Sequence, residues 1–143
     1  NLLNDKSQIT LSIDNNPETK ITLCEDEKSY KLCENICNQT SKDQLIKIKI
    51  NLRFTFNINK IKFKHTINSK NQEQPHGSIK LIVKRNSKIL YSNLELNHSQ
   101  SSSSYIINQR ANIIEIISKV KPYQCFKLSG IEIFGVTDLN IGN

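Results

Sequence analysis

The four cysteines are the first residues in this 143-residue chain whose chemistry must be explained. Three of them share a hydrophilic segment that contains Glu25, Asp26 and Glu27, and the fourth lies near the C-terminus. They are Cys24, Cys33, Cys37 and Cys125. An even number of cysteines in polar surroundings is typical of disulfides or metal ligands, but the spacing does not match the C-x-x-C pair of a zinc site. Disulfides, reduced structural thiols and metal or catalytic use therefore stay open. Disulfides would favour an extracellular protein.

The histidines offer little for catalysis. His65 falls on the apolar side of a predicted strand, where we expect a hydrogen-bonded core residue, whereas His76 lies in a long loop beside Pro75 and Gly77. The sequence has no H-E-x-x-H motif, no nucleophile elbow and no phosphate-binding glycine loop. We therefore predict that the domain is not an enzyme, and we regard His76 as a candidate for contact with a ligand.

The charge of the chain is basic but carries little information about a partner. The formal net charge is +7, from 20 Lys and Arg against 13 Asp and Glu, and arginine occurs only at Arg53, Arg85 and Arg110. Proteins that recognise nucleic acids favour arginine, because its planar guanidinium group forms bidentate hydrogen bonds with bases and phosphates. The abundance of Asn, Ile and Lys is typical of A+T-rich codons. Nucleic-acid binding is therefore unlikely as a function.

Two absences bear on the origin of the chain. It contains no Met and begins with Asn1, which suggests a fragment or a processed part of a larger protein. It also has no apolar run near the ~18 residues of a membrane helix, so we expect no transmembrane segment. The oligomeric state is not predicted.

The elements that position these residues are predicted to be strands. Apolar and polar residues alternate strictly over 46–56, which places Phe54 and Phe56 on the same buried face as Ile46. Further strand-like segments occur at 7–13, 20–23, 60–67, 78–84, 89–96, 105–107 and 126–136. The segment 113–118 is nearly continuous in apolar residues, which predicts a central strand. Turn-forming residues separate these segments. Such spacing is typical of an all-β sandwich or barrel, and Lys28–Cys37 is the best candidate for one short helix.

The C-terminal segments carry a family resemblance. Residues 113–118 read Ile-Ile-Glu-Ile-Ile-Ser, and Phe126–Gly135 contains Leu-Ser-Gly-Ile-Glu. Together with Ile-Asp-Asn-Asn-Pro-Glu-Thr at 13–19, they resemble the discoidin (coagulation-factor C-type) family of galactose-binding-like β-sandwiches. The resemblance covers residues 8–136. It departs from the family pattern in lacking a tryptophan after Thr19 and cysteines at the two ends.

The resemblance implies a single domain over residues 1–143. It would be an antiparallel jelly-roll β-sandwich of about eight strands. It also implies a structural Ca²⁺ near the first loop, with Asp14, Asn16 and Thr19 among the ligands, since oxygen donors suit this cation. The expected partner carboxylate is replaced by Gly130, and Glu132 lies nearby on the strand. The alternative for this segment is an ordinary Asx-Pro turn.

The function expected from these observations is recognition without catalysis. Loops at one end of the sandwich, at 14–19, 68–77 and 97–104, would bind a protein partner or a glycan. Hydrogen bonds to a glycan would come from polar side chains of the second loop, namely Asn68, Asn71, Gln74 and His76. The alternative is a structural or docking subunit of a large ciliary or cytoskeletal assembly, whose lysine faces would lie on acidic protein surfaces. Nucleic-acid binding is a distant third, because it needs stacking aromatics, and the phenylalanines are predicted in the core.

Overall fold

The computed structural model describes residues 1–69, 72–74, 78–95 and 102–137. These residues form strands and turns, with no helix among them. The strands are β1 (Gln8–Ile13), β2 (Thr19–Ile21), β3 (Leu23–Asp26), β4 (Ser29–Leu32), β5 (Ile36–Cys37), β6 (Gln44–Ser69), β7 (Gln72–Gln74), β8 (Ile79–Arg85), β9 (Lys88–Glu95), β10 (Ser102–Val120) and β11 (Cys125–Thr137). The described part of the chain therefore contains no helix that could cross a lipid bilayer.

Two long strands, β6 and β10, build both layers of the structure. The first half of β6 pairs with β1 on one side and with the second half of β10 on the other, and β8 and β9 continue this layer. The second half of β6 pairs with β11 and with the first half of β10. All of these pairings are antiparallel. The predicted fold class, an all-β antiparallel sandwich, is confirmed.

The short strands complete the edges of the two layers. β2 extends the first layer beyond β1, while β4 and β5 pair with β11 and β3 pairs with β4. The segment Lys28–Cys37, expected to be the best candidate for a helix, contains β4 and β5 instead. Its residues Tyr30 and Leu32 pair with β3 across a tight turn, in register with Glu25 and Leu23.

The bend in β6 changes which residues are buried. Ile46, Ile48 and Ile50 are at most 1% exposed, as the alternation predicts. Arg53 then adopts a positive φ of 75°, which interrupts the pleat. As a result Phe54 is 65% exposed, so the prediction that it belongs to the core face was wrong. Phe56 is partly buried and packs against the core.

The core lies between the two layers and is mostly aliphatic. Beyond the bend, Ile61, Phe63 and His65 are fully buried. The His65 ring packs near Phe63 and Phe126, with centroid distances of 6.3 and 6.5 Å. His65 is thus a core residue packed near two aromatic rings, as its place on the apolar side of the strand predicts.

Candidate functional site

The register of the strands brings the strand ends beside the predicted ligand loops to one end of the sandwich. Of these loops, residues 70, 71, 75–77 and 97–101 lie outside the described residues. At this end, called the loop end, the start of β6 lies opposite the end of β10 and the end of β6 lies opposite Cys125. The start of β8 lies opposite Ser118, and it pairs with the end of β9. The strand termini that flank the loops 14–19 and 68–77 are therefore neighbours, as expected for loops that share one end.

Asn38 organises the loop end. Its side chain is buried, and its amide nitrogen donates to the carbonyl oxygens of Lys42 at 2.7 Å and Val120 at 2.9 Å. Its Oδ1 accepts from the backbone N–H of Thr40 at 2.9 Å and from the hydroxyl of Thr40 at 2.6 Å. Through these bonds Asn38 fixes the segment 38–42 to the end of β10. Asn38 also begins an Asn-x-Thr glycosylation sequon, but its side-chain nitrogen is buried and used in these bonds.

The four predicted glycan-contact residues are only partly within the described structure. Asn71 and His76 lie outside the described residues. For Asn68 and Gln74 the backbone alone is described, and it forms the antiparallel β6–β7 pairing in which Gln74 lies opposite Ile67. Their role in ligand binding stays a prediction.

The predicted calcium residues form a hydrogen-bonded turn. Asp14 forms two hydrogen bonds with Leu45, both 2.8 Å long. The Asp14 N–H donates to the Leu45 carbonyl, and the Asp14 Oδ1 accepts from the Leu45 N–H. The Thr19 hydroxyl donates to the Leu11 carbonyl at 3.3 Å, and the backbone N–H of Asn16 donates to Ile13. The bond from Asn16 to Ile13 closes a β-turn whose two central residues, Asp14 and Asn15, both have positive φ, as in a type I′ turn. The Asp14 side chain joins this turn to the start of β6.

The predicted calcium ligands include one carboxylate, that of Asp14. Glu132 lies opposite Lys62 in the second half of β6, whereas Asp14 contacts Leu45 at the start of that strand. Within the described ranges, no three His, Cys, Asp or Glu side chains come close enough together to hold a metal ion. Calcium binding at Asp14, Asn16 and Thr19 stays a prediction.

The cysteines form two disulfides. Cys24 of β3 is bonded to Cys33, just after β4, and Cys37 of β5 is bonded to Cys125 at the start of β11. Cys37 and Cys125 are also direct partners in the ladder between their strands. All four thiols are used in these bonds. The disulfides fix the segment 33–37 against both the β3–β4 hairpin and the second layer.

A groove of about 510 Å³ lies beside the first disulfide. We call it the disulfide groove. It is lined by residues of β1, β2 and the β4–β5 connection, namely Leu11, Lys20, Ile21, Thr22, Leu32, Cys33, Glu34, Asn35 and Ile36. The charged and polar side chains are exposed, whereas the leucines and isoleucines are buried or partly buried. The groove therefore combines hydrogen-bonding groups with an aliphatic floor.

Sequence reasoning did not identify this groove. The sequence predicts a strand at 20–23 and a short helix at 28–37, and neither pattern indicates the wall of a binding site. A usable signal was the pair of polar residues Glu34 and Asn35 enclosed between Cys33 and Cys37. If both cysteines form disulfides, the short segment between them is held firmly enough to carry binding groups.

A smaller cavity of about 220 Å³ adjoins the β3–β4 hairpin and is lined in part by Asp5, Glu25 and Tyr30. The Tyr30 hydroxyl donates to Glu25 Oε1 at 3.4 Å. Burial, with a smaller contribution from the negative charge of Glu25, raises the pKa of Tyr30. Tyr30 therefore stays neutral and acts as a hydrogen-bond donor under ordinary conditions.

Comparisons with known proteins show a likeness of fold without a likeness of sequence. No protein-family model matches the chain, and no curated protein matches it. Among solved structures, TmCBM61 in complex with β-1,4-galactotriose matches with a TM-score of 0.51 and 8% identity, over 89% of this chain and 88% of that one.

Two further solved structures are similar at a lower level. The lectin domain of lectinolysin complexed with Lewis b antigen matches with a TM-score of 0.49 and 10% identity, over 76% of this chain and 72% of that one. The fucose-binding module SpX-3 of Streptococcus pneumoniae gives 0.49 and 8%, over 76% and 73%. The TmCBM61 match agrees with the predicted fold, an all-β sandwich of galactose-binding type.

Proposed function

We propose that this galactose-binding-like β-sandwich is a non-enzymatic glycan-binding module and that the disulfide groove is its binding site. The observation that carries the proposal is the lining of the groove. Glu34 offers hydrogen-bond acceptors, Lys20 offers donors, and Asn35 offers both. A sugar presents hydroxyl groups at its edge and C–H groups on its faces, so it needs both kinds of surface.

The size and the rigidity of the groove support this proposal. Its volume of about 510 Å³ falls within the range of roughly 300–1,000 Å³ that is usual for small-molecule sites. The Cys24–Cys33 disulfide holds one wall, and Cys33 Sγ lies 3.3 Å from the Thr22 carbonyl of the opposite wall. A site that is already ordered loses less entropy on binding. The neighbour TmCBM61, which shares the fold, is seen in complex with a galactose trisaccharide.

The two disulfides fit a module that works outside the cytosol, because such bonds persist mainly in oxidising compartments. A glycan ligand is also commonly met there.

The test is a glycan array with the wild-type domain, followed by titration of the best neutral glycan against variants. We expect Asn35→Ala and Glu34→Gln each to weaken binding by about tenfold, or about 1.4 kcal/mol. Gln39→Ala is the matched control, since Gln39 is exposed near the same end but does not line the groove. Its affinity should stay close to that of the wild type.

The opposite results are equally informative. Loss of binding in His76→Ala with Asn71→Ala, but not in the groove variants, would move the site to the loop 68–77. A wild-type domain that binds no glycan on the array would refute the proposed function.

Protein binding is the second candidate, and the edge strand β9 favours it. Ile89 and Leu94 of this strand are each 56% exposed, and among the described strands β9 pairs with β8 alone. An open strand with apolar side chains is suited to adding a strand from a partner. A protein ligand bound there would be lost in Leu94→Lys and retained in Asn35→Ala. A docking role in a large assembly is the remaining alternative, and sedimentation with that assembly at varied salt would test it.

A further inference from the structure

The outward surface of the second layer carries a row of lysines. Lys60, Lys62 and Lys64 alternate along β6 with the buried residues Ile61 and Phe63. All three therefore project to the same side, at intervals of about 7 Å along the strand. We call this surface the lysine face. It also contains Ile106 of β10 and Phe134 of β11, which both lie opposite Lys60.

Several lysines of the first layer lie beside carboxylates, in contrast to those of the lysine face. Lys84 Nζ lies 3.2 Å and Lys47 Nζ 4.0 Å from the carboxylate of the buried Glu115. Lys49 Nζ lies 3.5 Å from Glu18. These three lysines share two carboxylates, which offset most of their positive charge.

The lysine face is less well balanced within the described part of the chain, because it has three lysines and one neighbouring carboxylate, Glu132. No carboxylate forms an ion pair with Lys60, Lys62 or Lys64 there, although Glu132 lies opposite Lys62 in the register. Lys60 Nζ lies 4.8 Å from the centre of the Phe134 ring, a contact that leaves its positive charge in place. Three cations in a row on one strand repel each other, and an anionic partner would relieve that repulsion.

The packing of the lysine face holds the charges apart. The Lys64 stem passes over Gly130, where a Cβ would lie 3.7 Å from its Cγ and Cδ. Ile106, which is 64% exposed, adds apolar surface beside Lys60. The surface is thus an open row of separate point charges with apolar patches between them, which suits an extended ligand with repeated charges.

We propose that the lysine face binds a linear anionic polysaccharide, one that carries sulfate or carboxylate groups at regular intervals. The lysine ammonium is a point charge and lacks the planar guanidinium group with which arginine binds one phosphate or carboxylate bidentately. Recognition by the lysine face would therefore depend on the spacing of the anionic groups along the ligand. The lysine face has no arginine, and its aromatic side chain Phe134 is covered by Lys60. Single-stranded nucleic acid would need uncovered aromatic platforms. The choice of a polysaccharide over other polyanions rests on the proposed glycan function.

The test measures the binding of heparin, a sulfated linear polysaccharide, to the intact domain. The triple variant Lys60→Gln, Lys62→Gln, Lys64→Gln should bind about tenfold more weakly than the wild type, and wild-type affinity should fall steeply between about 50 and 200 mM salt. The matched control is Lys42→Gln, Lys88→Gln, Lys121→Gln. It removes the same number of charges from exposed lysines outside the lysine face. Its affinity should fall by less than about threefold.

Three outcomes would overturn this inference. Equal losses in the two triple variants would show that net charge alone attracts heparin. A wild-type domain that does not bind heparin would refute the site. Oligothymidylate or polyglutamate binding as tightly as heparin, and lost in the same variant, would refute the choice of polysaccharide.

This experiment also separates the two proposals. Circular dichroism checks that each variant is folded. Asn35→Ala should retain heparin binding, and the Lys60/Lys62/Lys64 variant should retain binding of the neutral glycan. Loss of one activity therefore leaves the other measurable.

Discussion

At the scale of single residues, Gly135 fixes the contact between β11 and β6. A Cβ at this position would collide with the carbonyl oxygen of Asn57, a backbone atom that cannot move aside. Gly130 differs, because it has a φ of 60° but open space around it, with Lys64 at 3.7 Å as the nearest neighbour. The two glycines are therefore required for different reasons, close approach at one and backbone conformation at the other.

This difference predicts unequal costs for alanine. Gly135→Ala should lower the free energy of unfolding by about 3 kcal/mol, since the strands must separate locally. Gly130→Ala should cost about 1 kcal/mol, the usual penalty for a left-handed residue with a side chain. Urea denaturation followed by circular dichroism measures both. A smaller loss in Gly135→Ala than in Gly130→Ala would contradict the close approach to Asn57.

The residue scale also shows where sequence patterns were sufficient. The alternation from Ile46 to Leu52 predicted the buried face because each pleat reverses the side chain. It failed at Phe54, because nothing in the residue type of Arg53 signals a left-handed backbone. The roles of Asn38 and of the groove residue Asn35 depend on contacts with segments distant in the chain, and no local pattern contains them.

At the scale of elements, Glu115 joins three strands of the first layer. Its carboxylate on β10 lies between Lys84 of β8 and Lys47 of β6, and its side chain is 5% exposed. A carboxylate buried in this way is stable only with its cations beside it. The pair of Lys119 and Asp43 is much more exposed, with side chains 57% and 44% accessible.

We therefore predict different coupling energies for the two pairs. A double-mutant cycle with Glu115→Gln and Lys84→Met should give about 1.5 kcal/mol, whereas Asp43→Asn with Lys119→Met should give at most about 0.5 kcal/mol. Lys47 is unchanged in every variant of the first cycle. The measurement is chemical denaturation, and equal coupling in both cycles would contradict the role of Glu115 in joining the layer.

The elements themselves were predicted unevenly from sequence. The long apolar alternations identified the central strands, because burial on one face leaves a clear period of two. The segment 28–37 has no such period. It is extended because β3 and β11 provide ladder partners and because two disulfides hold it, and both constraints come from elsewhere in the chain.

At the scale of the whole molecule, the two disulfides close loops of very different length. Cys37 and Cys125 are 88 residues apart, whereas Cys24 and Cys33 are 9 apart. In the chain-entropy description, the longer loop removes more freedom from the unfolded chain. The Cys37–Cys125 bond therefore stabilises the entire sandwich, and the Cys24–Cys33 bond acts on the hairpin beside the groove.

Removal of each bond should show this difference. The chain-entropy relation gives a loss of about 4.6 kcal/mol for Cys37→Ala with Cys125→Ala, and about 2.6 kcal/mol for Cys24→Ala with Cys33→Ala. Guanidinium denaturation of the two double variants measures the losses. A larger loss in the Cys24/Cys33 variant would argue against a long-range role for the Cys37–Cys125 bond.

The single strand β6 contributes to both layers, and this has a consequence for how the molecule is made. Its partners β10 and β11 come much later in the chain, so during synthesis the middle of each layer lacks a neighbour until residues 102–120 have left the ribosome. Pairings between segments so distant in sequence also form slowly. In nascent chains that end before β10, the apolar side chains of β6 should therefore be exposed to solvent, because its partner strands β10 and β11 are still missing. In a cell this is the stage at which the protein would need a chaperone.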